Sequence, residues 1–125
     1  MRPRRVATLF VCGVLALFAA APVSAGAPTE MSASPVSQSV GGCHYPSTVH
    51  WWASVSGGTA STWTIYLNPH DGTGNHTFPN ISDSPHYTSY NYAANYCIVV
   101  PQTWWAYRGG GGTSPTFGTS VTFVP

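Results

Sequence analysis

The chain has 125 residues, of which only 6% are charged and 14% are aromatic. Three of its four basic residues, Arg2, Arg4 and Arg5, stand in the first five positions, and none is a lysine. Beyond them a single cation, Arg108, faces three carboxylates, Glu30, Asp71 and Asp83. That balance excludes a nucleic-acid binder, which must neutralise several phosphates, and speaks against an anionic membrane surface.

The basic start leads into an uncharged apolar run over 6–21 and then Val23-Ser24-Ala25, with small residues at the two positions a signal peptidase reads. Basic head, apolar middle and small-x-small exit make a secretory signal. The run is too short to span about 30 Å of hydrocarbon comfortably, so a membrane-spanning protein is not expected. Residues 1–25 are read as a signal peptide that takes Cys12 with it, and the protein as secreted and extracellular. Cys43 and Cys97 remain, and in an oxidising compartment an even count reads as a disulfide.

Residues 26–42 are rich in Ala, Pro, Ser and Gly and predict a flexible leader. From Cys43 onward Trp, Tyr, Val and Thr alternate in short runs broken by Gly, Pro and Asn, which predicts a single all-β domain over 43–125. The first strand is expected over 48–56. There Val49, Trp51, Ala53 and Val55 share one face, so Trp51 turns inward and Trp52 outward. Gly57-Gly58 supplies a turn, and the next strand over 62–67 sets Trp63, Ile65 and Leu67 against Thr62, Thr64 and Tyr66. Asn68-Pro69-His70-Asp71-Gly72 is strong turn chemistry, because Pro fixes one dihedral and Gly accepts positive φ. Short strands follow over 76–78, 87–92, 96–100, 102–107 and 117–124. The expected fold is a small antiparallel β-sandwich, or a partly closed barrel, with one disulfide.

One pattern repeats. Cys43, Trp51-Trp52-Ala53 and Gly57-Gly58-Thr59 return as Cys97, Trp104-Trp105-Ala106 and Gly111-Gly112-Thr113 at nearly matched offsets. This predicts an internal duplication, with each half giving a Trp strand, a Gly turn and a return strand about a pseudo-twofold. Parity does not orient the second doublet, because 102–108 has few apolar markers.

Flat aromatic rings on a nearly uncharged surface rich in Asn and Thr suit sugars, whose C–H faces stack on rings and whose hydroxyls pair with amides. The expected ligand-binding residues are Trp52, Trp105, Tyr66, Tyr90, Tyr92, Tyr107 and Arg108. The expected partner is a polysaccharide or cell-surface glycan, met by two sites acting together. Catalysis is not expected: Asp71 and Asp83 are the only carboxylates beyond the leader, no Gly-x-Ser-x-Gly elbow occurs, and no free cysteine is left as nucleophile. No metal or cofactor is expected either. His70 and His76 are spaced wider than familiar zinc ligands, and the intervening Asp-Gly-Thr-Gly-Asn lacks the charge of a calcium loop. Asn75-His76-Thr77 and Asn80-Ile81-Ser82 have the form of glycosylation acceptors.

Two short resemblances accompany this reading. Cys43 and Cys97 bracketing a Trp resemble an immunoglobulin-type sandwich, although Tyr96 directly precedes the second Cys instead of standing two before it. His44-Tyr45-Pro46-Ser47-Thr48-Val49-His50 with Ala53-Ser54-Val55 resembles a segment of lactococcin-type secreted bacteriocins, which are small β-sandwiches. The second resemblance implies a different use: a small effector acting on a protein target, as a toxin or hydrolase inhibitor, with Arg108 and the glycine loop after it as the reaching element.

Overall fold

The computed structural model describes Pro28 and residues 30–93, 96–108 and 112–125; the expected signal segment lies outside the described residues. Among the described residues nine strands are formed: β1 (Glu30–Ser34), β2 (Ser37–Gly41), β3 (Ser47–Ser56), β4 (Trp63–Asn68), β5 (His76–Ile81), β6 (His86–Tyr92), β7 (Val99–Arg108), β8 (Gly112–Thr113) and β9 (Phe117–Val124). They make a small sheet of order β1-β3-β6 and a larger one of order β2-β9-β7-β4-β5, with β8 paired to β7. Every pairing is antiparallel except that of β2 with β9. Neither sheet closes on itself, so the fold is a sandwich and not a barrel. Among the described residues no helix is long and apolar enough to cross a membrane.

The period-two pattern explains why these segments are strands. In β3 the burial alternates from Ser47 to Ser56, with Val49, Trp51, Ala53 and Val55 buried and the residues between them facing out. In β7 it is the even positions that turn inward, so Trp104 and Ala106 are buried while Thr103, Trp105 and Tyr107 face out. The segments expected over 96–100 and 102–107 merge at Pro101, which pairs with Ser120.

The flexible leader expected over 26–42 is corrected by β1 and β2. β1 pairs with β3 and buries Met31 and Ala33, and β2 pairs in parallel with β9. Only two inward apolar side chains are needed to seat β1 at an edge, too few to register against its Ser- and Pro-rich composition. Pro35 falls between the two strands, where the chain passes from one sheet to the other.

The two halves of the repeat become the central strands of the two sheets. Trp51 of β3 and Trp104 of β7 meet edge to face in the core with ring centroids 5.2 Å apart. Cys43 and Cys97 are joined by a disulfide. The return strands are not equivalent: β4 leaves Gly57-Gly58 for the opposite sheet and pairs with β7, whereas β9 pairs back onto β7 itself.

A chain of buried polar groups threads this core. Trp104 Nε1 donates to Thr119 Oγ1 at 2.9 Å, and Thr119 Oγ1 donates to Gln102 Oε1 at 2.8 Å. Gln102 Nε2 donates to the Tyr92 hydroxyl at 3.0 Å, which donates in turn to the Pro69 carbonyl at 2.8 Å. Each member is satisfied by the next, the condition under which a buried polar group is tolerated.

Candidate functional site

Because the doublets lie on central strands, burying Trp51 and Trp104 drives their neighbours to opposite outer faces of the sandwich. On the small sheet Trp52 is 50% exposed, and its register partner on β6, Tyr87, is also 50% exposed. Their rings lie 4.9 Å apart at 57°. His50, diagonal to Tyr87, stacks on it at 5.1 Å and 13°. Around these rings stand Ser32, Ser34, Thr48, Ser54, Ser89 and Asn91, all on outward positions. The one carboxylate at an outward position of the three strands is Glu30, at the far end of β1 opposite Ser56.

On the larger sheet Tyr66 and Trp105 are register partners and stack at 5.4 Å with planes only 2° apart. Each covers a face of the other, and both are half-buried. Tyr107 next to them is exposed. Trp52 and Trp105 thus belong to separate clusters on opposite sides of the molecule, and Tyr66 and Tyr107 go with the second.

Tyr90 and Tyr92 are corrected: neither is an exposed platform residue. They share the inward parity of Thr88, and Tyr92 is only 2% exposed, with its ring edge-to-face on Phe123. Burial pushes the Tyr92 phenol up to about 12. Tyr90 is half-buried and donates its hydroxyl to Asp71 Oδ2. The outward tyrosine of β6 is Tyr87, which sequence reasoning missed. Its signal is parity, since Tyr90 and Tyr92 share one face of the strand and Tyr87 takes the other.

Arg108 is corrected as well. It shares the inward parity of Trp104 and Ala106, is 5% exposed, and places its guanidinium 3.8 Å from the centroid of the Trp63 ring. It is a packed cation over an indole, not a reaching element. Residues 109–111 of the loop that follows it lie outside the described residues.

The β4–β5 loop and the first residue of β5 bring together a Thr, a His and an Asp. Thr73 Oγ1 lies 2.5 Å from Asp71 Oδ1 and 2.7 Å from His76 Nε2. Asp71 also accepts the Thr73 backbone N–H at 3.1 Å. Burial pushes the Asp71 carboxyl up, but the hydrogen bonds from Thr73 and Tyr90 outweigh it and hold it below its ordinary value. An ionised carboxylate can only accept, so the Thr73 hydroxyl donates its hydrogen bond to Asp71 Oδ1 and His76 Nε2 donates to Thr73 Oγ1. A hydroxyl whose proton is committed to a carboxylate is not activated by the histidine, so this trio lacks the proton arrangement of a nucleophile and its base. His70 turns elsewhere, with Nε2 3.1 Å from Thr103 Oγ1. Cys43, His44 and Cys97 are the one metal-capable trio among the described residues, but both sulfurs are committed to the disulfide. Asn75 and Asn80 are exposed.

No family model and no curated protein sequence matches the chain. Among solved structures it is similar to the PKD domain of an M14-like peptidase from a Thermoplasmatales archaeon, with a TM-score of 0.54. The two share a β-sandwich fold. That likeness covers 78% of this chain and 96% of that one at 14% identity, and it extends to the fold alone. Fainter likenesses join it to an engineered protein (TM-score 0.44, 18% identity, 77% of this chain and 20% of that one) and to a superoxide reductase (neelaredoxin) from Ignicoccus hospitalis (TM-score 0.41, 12% identity, 77% and 81%).

Proposed function

We propose that the protein is a secreted, non-catalytic binding module that holds an uncharged polysaccharide or cell-surface glycan against Trp52, Tyr87 and His50. The observation that carries this reading is the half-exposed Trp52–Tyr87 pair, with His50 stacked on it, on an outer face whose other side chains are hydroxyls and the Asn91 amide, with Glu30 at its far end. An exposed indole retains a free ring face for the C–H face of a sugar, and the neighbouring Ser32, Ser34, Ser89 and Asn91 supply hydrogen-bond partners for its hydroxyls. Neutral surroundings suit a neutral polymer and give an acidic one nothing to pair with. Tyr66 and Trp105 are a weaker second platform, because their stacking uses one face of each ring. The export signal read from residues 1–25 and the Cys43–Cys97 disulfide fit an extracellular site of action.

Sedimentation of the purified oxidised protein with insoluble cellulose, chitin and bacterial cell wall tests the proposal. Trp52→Ala should lower retention by about tenfold, the worth of one well-placed aromatic contact. Trp105→Ala should lower it less. Equal retention of wild type and Trp52→Ala would remove the platform.

A further inference from the structure

A separate cavity opens at the end of the sandwich beside the disulfide, lined by His70, Asp71, Tyr92, Tyr96, Ile98, Val100 and Phe123, with a volume of about 180 Å³. Its back wall is apolar and fixed. Tyr92 and Phe123 are buried, and the Ile98 carbonyl accepts the Phe123 N–H at 3.0 Å. Its mouth carries Tyr96 and Ile98, both exposed. The Tyr92 hydroxyl is already satisfied by Pro69 and Gln102, so the polar demand of the cavity falls on the loop residues His70 and Asp71.

Asp71 has charge to spare. Thr73 donates its N–H and O–H to Oδ1, Tyr90 donates to Oδ2, and the Asp71 backbone N–H adds a further donor, but every one of these donors is neutral. No cationic side chain meets Asp71 among the described residues: Arg108 lies over Trp63, and the one ion pair joins His86 to Asp83. The hydrogen bonds that hold the Asp71 carboxyl below its ordinary value keep it negative, with no cation beside it to balance the charge.

We propose that this cavity binds a small organic ammonium ion, its apolar stem against Ile98, Val100 and Phe123 and its charged head on Asp71 Oδ2. Size and charge both point there. An apolar cavity of about 150 Å³ accepts a benzene ring, so this one admits a phenyl-sized stem with a short arm. An anion would meet the Asp71 carboxylate, and a neutral apolar ligand would leave its charge unbalanced. The Tyr96 ring at the mouth adds an aromatic face for the cation. The site does not depend on the Trp52 platform and makes no use of it.

The test uses 2-phenylethylammonium, 2-phenylethanol and phenylacetate as probes of one shape and three charges. Each is titrated into the purified oxidised protein at pH 8, above the ordinary histidine range, with chemical-shift perturbation as readout. The ammonium should bind about tenfold to hundredfold tighter than the alcohol, the effect of one charge-assisted hydrogen bond, and the anion weakest of all. Asp71→Asn should erase the preference for the cation. Because Asp71→Asn could also disturb the loop, Ile98→Ser at the exposed mouth should weaken the ammonium and the alcohol alike with the loop intact. Trp52→Ala should change neither. No binding at millimolar ammonium, equal affinity for alcohol and ammonium, or full ammonium affinity in Asp71→Asn would each overturn the proposal, whatever the outcome for the glycan platform.

Discussion

Replacing Gln102 by Leu tests whether the buried polar chain holds the two sheets in register. Gln102 is almost wholly buried, accepts from Thr119 and donates to both Tyr92 and the Val100 carbonyl. Leucine fills a similar volume but leaves the Thr119 hydroxyl with no acceptor and removes the donor to Tyr92. The orphaned Thr119 hydroxyl costs about 1–3 kcal/mol and the lost Gln102–Tyr92 hydrogen bond about 1 kcal/mol more, since Tyr92 still donates to Pro69, so the change should cost about 2–4 kcal/mol. For a domain of this size each kcal/mol lowers Tm by about 4–8 °C, which gives a fall of roughly 10–30 °C. Urea unfolding of the oxidised protein, followed by tryptophan fluorescence, measures the free energy directly. Asn91→Ala, on an exposed position of β6, is the control and should stay within about 0.5 kcal/mol of wild type. A Gln102→Leu variant as stable as that control would refute the reasoning and leave the apolar core to fix the register alone.

Two further outcomes follow from the same core. Converting Cys43 and Cys97 together to Ser opens a loop of sequence separation 54 and should destabilise by about 4 kcal/mol, measured by the same urea transition; a loss under about 1 kcal/mol would contradict it. Tyr92, raised by burial to about 12 against an ordinary value near 10, favours the folded state only while neutral. Its contribution is complete below pH 10 and is lost as pH rises from 10 toward 12, on the order of 2 kcal/mol. The urea midpoint of wild type should therefore fall more steeply over that range than that of Tyr92→Phe, and parallel slopes would count against it.

Much of the fold is legible in alternation alone. Val49, Trp51, Ala53 and Val55 fix the inward face of β3 and so place Trp52 outside, and Trp63, Ile65 and Leu67 do the same for β4. Composition was a poorer guide than parity. It hides β1, whose two buried residues, Met31 and Ala33, sit among serines. It also makes every tyrosine of β6 look alike, although Tyr87 and Tyr92 face opposite ways. Arg108 is misread for a related reason: a lone cation reads as exposed, but its even position on β7 sends it over Trp63. The cavity at Asp71 gathers residues from the β4–β5 loop, β6, the β6–β7 connection, β7 and β9, a convergence that no local pattern encodes.

The central claim is that Trp52 meets the ligand, and the indole N–H signals test it most directly. The chain has five tryptophans, hence five such signals, of which those of Trp51 and Trp104 come from wholly buried rings. Titration with a soluble neutral oligosaccharide should move the Trp52 signal, leave Trp51 and Trp104 in place, and lose its effect in Trp52→Ala. A Trp52 signal that stays fixed while the protein demonstrably binds would contradict the account and move the site elsewhere on the molecule.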